Sequence, residues 1–180
     1  MFNKVKQFVD DSFKEIVPHF ERTVYWLKEL KPDADEAMEI AAYAHDIARA
    51  FRSADSIKKF KDKELNDPMR IKEHQEEGVK IIGKFLRDNH YNEKDTLKVE
   101  NMVLKHEVGG NEESNFIKDA DSISYLEINA PKHIEKWVPN LGKEKVRRKF
   151  QWMFDRITSN KAKELAKPFY IKAIELLEKA

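Results

Sequence analysis

The sequence predicts an all-α fold of about seven helices, carried by one domain. Three observations lead there. Only five glycines and six prolines interrupt 180 residues. Long stretches carry apolar residues at three- and four-residue spacing. The period-two alternation of a half-buried strand is nearly absent. A chain of this length buries a sizeable core.

The first helix is expected over roughly residues 2–14. Pro18 suits the first turn of a second, "PHFERTVYWLKEL", which ends near Leu30. The stretch "KPDADEAMEIAAYAHDIARAF" opens with a proline and acidic residues, and the third helix is predicted to run on to about Phe51. The polar segment after it, "RSADSIKKFKDKELNDP", reads as a loop with at most a short helix. An insertion of that size beside a site often shapes access to it. A fourth helix starts near Met69, with a stripe of Val79, Ile82, Phe85 and Leu86. A fifth spans about Glu93 to Glu107 and stops at Gly109-Gly110. "NEESNFIKDADSISYLEIN" forms a sixth, ending before Pro131. From Lys143 onward two helices are expected, about 143–158 and 160–179, with Pro168 kinking or restarting the second. The lysine-rich part of these last helices reads as a solvated face behind an inner stripe of Val146, Phe150, Met153, Phe154 and Ile157. Trp137, Trp152 and Phe154 fit either a core or a patch between copies of the chain in a homo-oligomer.

Thirty-four basic residues against 33 acidic ones leave a formal charge of +1. No global basic field exists to hold a nucleic-acid polymer. The chain has no cysteine, which excludes disulfides, thiolate catalysis and cysteine-bound zinc. Its first residues, "MFNKVKQFVDDSF", do not resemble a secretory signal. No window approaches the ~18 apolar residues of a membrane span. A cytoplasmic protein with no membrane partner is expected.

The Ala-rich stretch "AAYAHDIARAF" carries His45 and Asp46 side by side, two groups that are costly to bury without partners. The other histidines are 19, 74, 90, 106 and 133. Taken singly, each has a plain structural reading. His19 suits a helix start, His74 a solvated polar run, and His106 a helix C-terminus, where a cation is favourable. Taken together, the pattern points elsewhere. Small alanines let helices approach closely, and an imidazole beside a carboxylate in such a wall calls for a positive partner. A metal ion is the economical one.

The ordered series His19, His45-Asp46, His74, His106, Asp121 resembles the HD superfamily of metal-dependent phosphohydrolases, over roughly residues 15–130. "HQEEGVKII" and "LKHEVGG" are similar to the two extra histidine segments of members that hold two metals. The final ligand of the resemblance falls on Asp121. Asp119 lies about 200° around a helix from it and is expected to face away or to cap. Two departures stand out. No glycine-containing turn follows the His-Asp pair, and Ser122 stands where many members have Arg or Lys after the last Asp.

The resemblance implies hydrolysis of a phosphoester or phosphoanhydride in a nucleotide or another small phosphorylated molecule. Two divalent ions about 3.5–4 Å apart would neutralise phosphate charge and acidify a bridging water. Asp46 would bridge them. His19, His45 and Asp121 would complete one sphere, and His74 and His106 the other. Mn, Fe, Co, Ni or Zn suits such ligands, and Mg is admissible. If His74 and His106 point elsewhere, one metal on His19, His45, Asp46 and Asp121 is left. Asp46 and Asp121 are the expected catalytic carboxylates, with Asp121 or Asp119 open to a part in proton transfer. Arg22, Arg49 and Lys118 are the expected phosphate-binding cations, with Arg52 a further candidate. Two other functions fit the same resemblance: a di-iron HD-fold oxygenase, and a non-catalytic regulatory or binding scaffold.

Overall fold

The computed structural model describes residues 1–14 and 17–180, and every regular element among them is helical. In chain order these are α1 (Phe2–Phe13), α2 (Pro18–Leu30), α3 (Glu36–Ala44), a 3-10 turn (Ile47–Phe51), α4 (Ala54–Lys59) and α5 (Pro68–Asp88). There follow α6 (Glu93–Lys105), α7 (Glu112–Ser124), a π turn (Tyr125–Asn129), α8 (Ala130–Leu141), α9 (Lys143–Asp155) and α10 (Asn160–Lys179).

The starts follow from short polar side chains that accept from orphan N–H groups. Asp35, Ser53, Asn92, Asn111 and Ser159 each accept from the amide three residues on, and Asp67 accepts from Met69 and Arg70. Pro18 and Pro68 sit in first turns, where a missing N–H costs nothing.

Helix α3 is the hub. It packs on α1, α2, α6 and α7, while α5 lies on α6 and on the 3-10 turn. Ala37, Ala41, Ala42 and Ala44 are buried along it, so its neighbours come close. Gly78 has the same use in α5. A Cβ there would meet Val103 Cγ1 at 3.3 Å and the carbonyl of His45 at 3.7 Å. That close crossing brings His74, one turn earlier on α5, toward the end of α3.

The structure departs from the sequence reading in three places. The third helix ends at Ala44 instead of running to Phe51. Arg49 N–H bonds to Asp46 O, three residues back, and the chain tightens into a 3-10 turn. The segment after it holds one short helix, α4, as its reading allowed. The sixth helix does not stop at Pro131. A π turn widens the backbone, with Ala130 N–H reaching Tyr125 O, and Pro131 falls in the first turn of α8. Finally, α10 passes through Pro168 as one element without restarting.

Candidate metal centre

Five helices deliver the donors. His19 comes from α2, His45 and Asp46 from the end of α3, His74 from α5, His106 from the end of α6 and Asp121 from α7. All six are buried. With Glu107, which follows His106, they form two adjacent sets, His19–His45–Asp121 and Asp46–His74–His106–Glu107, in each of which one ligand atom per residue lies within 4.8 Å of the others. Asp46 touches both. Its Oδ1 is 2.8 Å from His74 Nε2 and 3.8 Å from His106 Nε2, and its Oδ2 is 3.8 Å from His45 Nε2. Asp121 Oδ1 lies 3.2 Å from His19 Nε2 and 3.4 Å from His45 Nε2.

The outer partners orient the rings. His45 Nδ1–H donates to Ala42 O and His106 Nδ1–H to Val103 O, at 2.8 and 2.7 Å. His19 Nδ1 meets Ser124 Oγ, whose own hydrogen is given to His19 O, so the imidazole donates there. Each ring therefore turns Nε2 inward, the atom a metal would take; without an ion, the Asp121 and Asp46 carboxylates outweigh burial and raise His45 to about 9. Nε2 of His45 and of His106 is buried without a hydrogen-bond partner. An orphaned buried ring nitrogen is costly, and a divalent cation between the two sets would satisfy both. The donor set thus fits histidine-carboxylate metal binding.

Charge in the centre is balanced by arginine. Arg156, from the end of α9, forks onto Glu107 and Asp121 and donates from Nε to Ser122 Oγ at 2.8 Å. The cation missing after Asp121 in the chain is thus supplied from another helix. Arg49 Nε sits 2.8 Å from Asp46 Oδ2. Burial works against ionised carboxylates here. Even so, the Arg49 and His45 charges and the hydrogen bond with His74 hold Asp46 far below the ordinary range, and Arg156 and His45 do the same for Asp121. Arg156 and Lys149 bring Glu107 down to about 2 against the same opposition. Burial pushes His106 down to about 4, keeping it neutral.

The cluster opens on a cavity of about 580 Å³, bordered by His74, Glu107 and Arg49 and walled on one side by the 52–68 segment through Arg52, Ser56, Phe60 and Lys61. Of the expected phosphate-binding cations, Arg49 reaches this cavity and Arg22 does not. Glu127 takes Arg22 in a two-pronged pair at 2.8 and 2.9 Å, and its guanidinium lies over Tyr25 and Trp26. Lys118 borders a second cavity of about 500 Å³, on the Glu107–Arg156 side. Asp119 accepts from the amides of Thr158 and Ser159 and so caps α10.

Sequence reasoning missed Glu107, Lys149 and Arg156. Glu107 had a signal, since it follows His106 as Asp46 follows His45. Lys149 and Arg156 had one too. Both fall on the inner stripe of α9, and the reading of its basic residues as solvated is corrected for these two, which are buried.

No match was found among curated proteins. The fold is similar to that of a predicted HD superfamily hydrolase from an uncultured Thermotogales bacterium, whose crystal structure aligns with a TM-score of 0.63 at 15% identity, over 98% of this chain and 89% of that one. The chain has the all-α HD-type fold with a buried His/Asp cluster suited to metal. Among the described residues no helix is long and apolar enough to cross a membrane. A family model described as a domain of unknown function, DUF4202, matches residues 6–175, and the chain belongs to that family.

Proposed function

We propose that this protein is a metal-dependent phosphohydrolase acting on a phosphoester or phosphoanhydride of a small phosphorylated molecule. The observation that carries the reading is the carboxylate of Asp46. One oxygen faces His74 and His106 and the other faces His45, the placement a bridging ligand between two ion sites needs. Divalent ions held there would neutralise the phosphoryl charge and supply a water of lowered pKa as nucleophile.

The chain's own residues do the rest. His19, His45 and Asp121 would hold one ion, and His74, His106 and Glu107 the other. Arg156 keeps Asp121 Oδ2 occupied and so presents Oδ1 to the site. Arg49 stands at the mouth of the cavity, where a phosphoryl oxygen would enter, as a charge-paired donor. Tyr125 also borders the cavity. Burial raises its pKa, so it stays a donor, and its hydroxyl meets His133 Nδ1 at 3.0 Å.

Metal analysis of the purified chain, followed by a phosphatase and nucleotide screen with Mn, Co, Mg or Ni, tests the proposal. Retention of divalent metal and release of phosphate are expected, and Asp46→Ala should abolish both. Unchanged turnover in that variant would refute the site assignment. Bound iron with oxygen consumption and no phosphate release would replace the hydrolase with the oxygenase reading.

A further inference from the structure

The cavity beside the metal centre carries far more positive charge than its walls neutralise. Six basic side chains border it against three acidic ones. Two of those acids are already engaged. Glu73 is held by Lys59 and Ser56, and Glu107 by Arg156. Arg49 has Asp46. Arg52, which follows the 3-10 turn, and Arg70, in the first turn of α5, have no carboxylate within ion-pair or hydrogen-bond reach among the described residues. Both are half-buried. Burial, and then the neighbouring arginines, lower the pKa of each, against the weaker pull of Asp46, Glu77 and Glu73 on Arg52 and of Glu107 and Asp67 on Arg70. Lys149 is buried at the same cavity, its ammonium over the Tyr125 and Trp152 rings, without an ion-pair partner among the described residues.

Like charges gathered without counter-ions destabilise a fold unless an anion is their purpose. One phosphoryl group at the metals would be met by Arg49. It leaves Arg52 and Arg70, on separate elements, with nothing to bind. Guanidinium groups suit phosphate because their N–H forks match its oxygens in pairs.

We infer that the ligand of this cavity carries a second phosphoryl group besides the one at the metals, and that Arg52 and Arg70 are the specificity residues that hold it. The inference rests on the hydrolase reading for the placement of the first group. The second phosphate is either joined to the first as an anhydride or borne elsewhere on the same molecule.

Calorimetric titration of the full metal-loaded chain tests this with three probes: AMP, α,β-methylene-ADP and adenosine 3′,5′-bisphosphate. At least one two-phosphate probe should bind about tenfold or more tighter than AMP, as one additional charge-assisted fork allows. The two such probes separate adjacent from separated phosphates. In the double variant Arg52→Gln/Arg70→Gln that margin should collapse, with the two-phosphate probe losing about tenfold more affinity than AMP. The same variant should melt at an equal or higher temperature at low salt, because mutual repulsion is removed; a merely structural pair would lower it. Equal binding of all three probes, binding of none, or a margin that survives the double variant overturns the inference. Phosphate release in the phosphatase and nucleotide screen, followed in parallel, reports on the hydrolase reading separately. Its absence alongside an intact margin would remove the hydrolase and leave the two-phosphate site standing.

Discussion

Glu107 and Asp121 share one guanidinium, that of Arg156, and all three side chains are at most 8% exposed. Buried charges of this kind depend on each other, since removing one partner strands the rest in a medium that cannot solvate them. Arg156→Met is therefore expected to destabilise the metal-free protein by about 3–5 kcal/mol, the usual cost of breaking a buried pair. The loss should be smaller with metal bound, because the ions then balance the same carboxylates. Denaturant unfolding with chelator and with added manganese measures both values, and equal losses in the two states would count against metal binding at Asp121 and Glu107. At this scale the sequence was partly legible. His-Asp and His-Glu pairs at helix ends are visible in a string of letters. Which arginine would stand beside Asp121 was not, because 35 positions of chain separate it from Arg156.

Elements in this protein are positioned by their ends. Asp35 shows how. Its Oδ1 accepts from Met38 N–H at 3.0 Å, opening α3, and its Oδ2 takes Lys98 Nζ of α6 at 2.6 Å. Partial burial opposes ionisation, but the Lys98 ammonium and the Met38 amide prevail and lower the pKa. A carboxyl whose folded pKa lies below its unfolded value stabilises above the unfolded value and loses that stabilisation as pH falls through the folded one. Asp35→Ala should thus cost about 1 kcal/mol at pH 7, the ordinary worth of an N-cap. The gap from wild type should shrink once the pH drops below the model-peptide aspartate value of about 4. Thermal melts at pH 7 and pH 3 check it. Helix starts were readable because a cap is local chemistry. The break after Ala44 and the π turn at Tyr125 were not, since nothing within one turn of either announces it. Asp46, at the first break, lies among the histidines of the cluster, and Tyr125, at the second, borders the cavity.

Across the whole molecule, the centre works as a clasp. Its donors come from α2, α3, α5, α6 and α7, so an ion held there cross-links most of the fold. A ligand that binds only the folded state stabilises by mass action. Free metal at a hundred times its dissociation constant should add about 2.7 kcal/mol to unfolding. The melting temperature should climb with manganese or cobalt concentration and fall on chelation. Asp46→Ala should flatten that dependence, and a melting temperature indifferent to every divalent ion would argue against the clasp. The C-terminal helices belong to the same arrangement. α9 contributes Arg156 and Lys149 to the centre and the cavity, and α10 is capped by Asp119 of α7.

By itself the sequence determined the helical class, most helix starts and the order of the six candidate donors, because periodicity, caps and ligand chemistry are written in neighbouring residues. The tertiary structure alone decided that Glu107 lies beside the candidate donors, that Arg156 pairs with Asp121 while Arg22 is taken by Glu127, and that Arg52 and Arg70 face one cavity. Those are distances between residues far apart in the chain, and such distances exist only once the helices have packed.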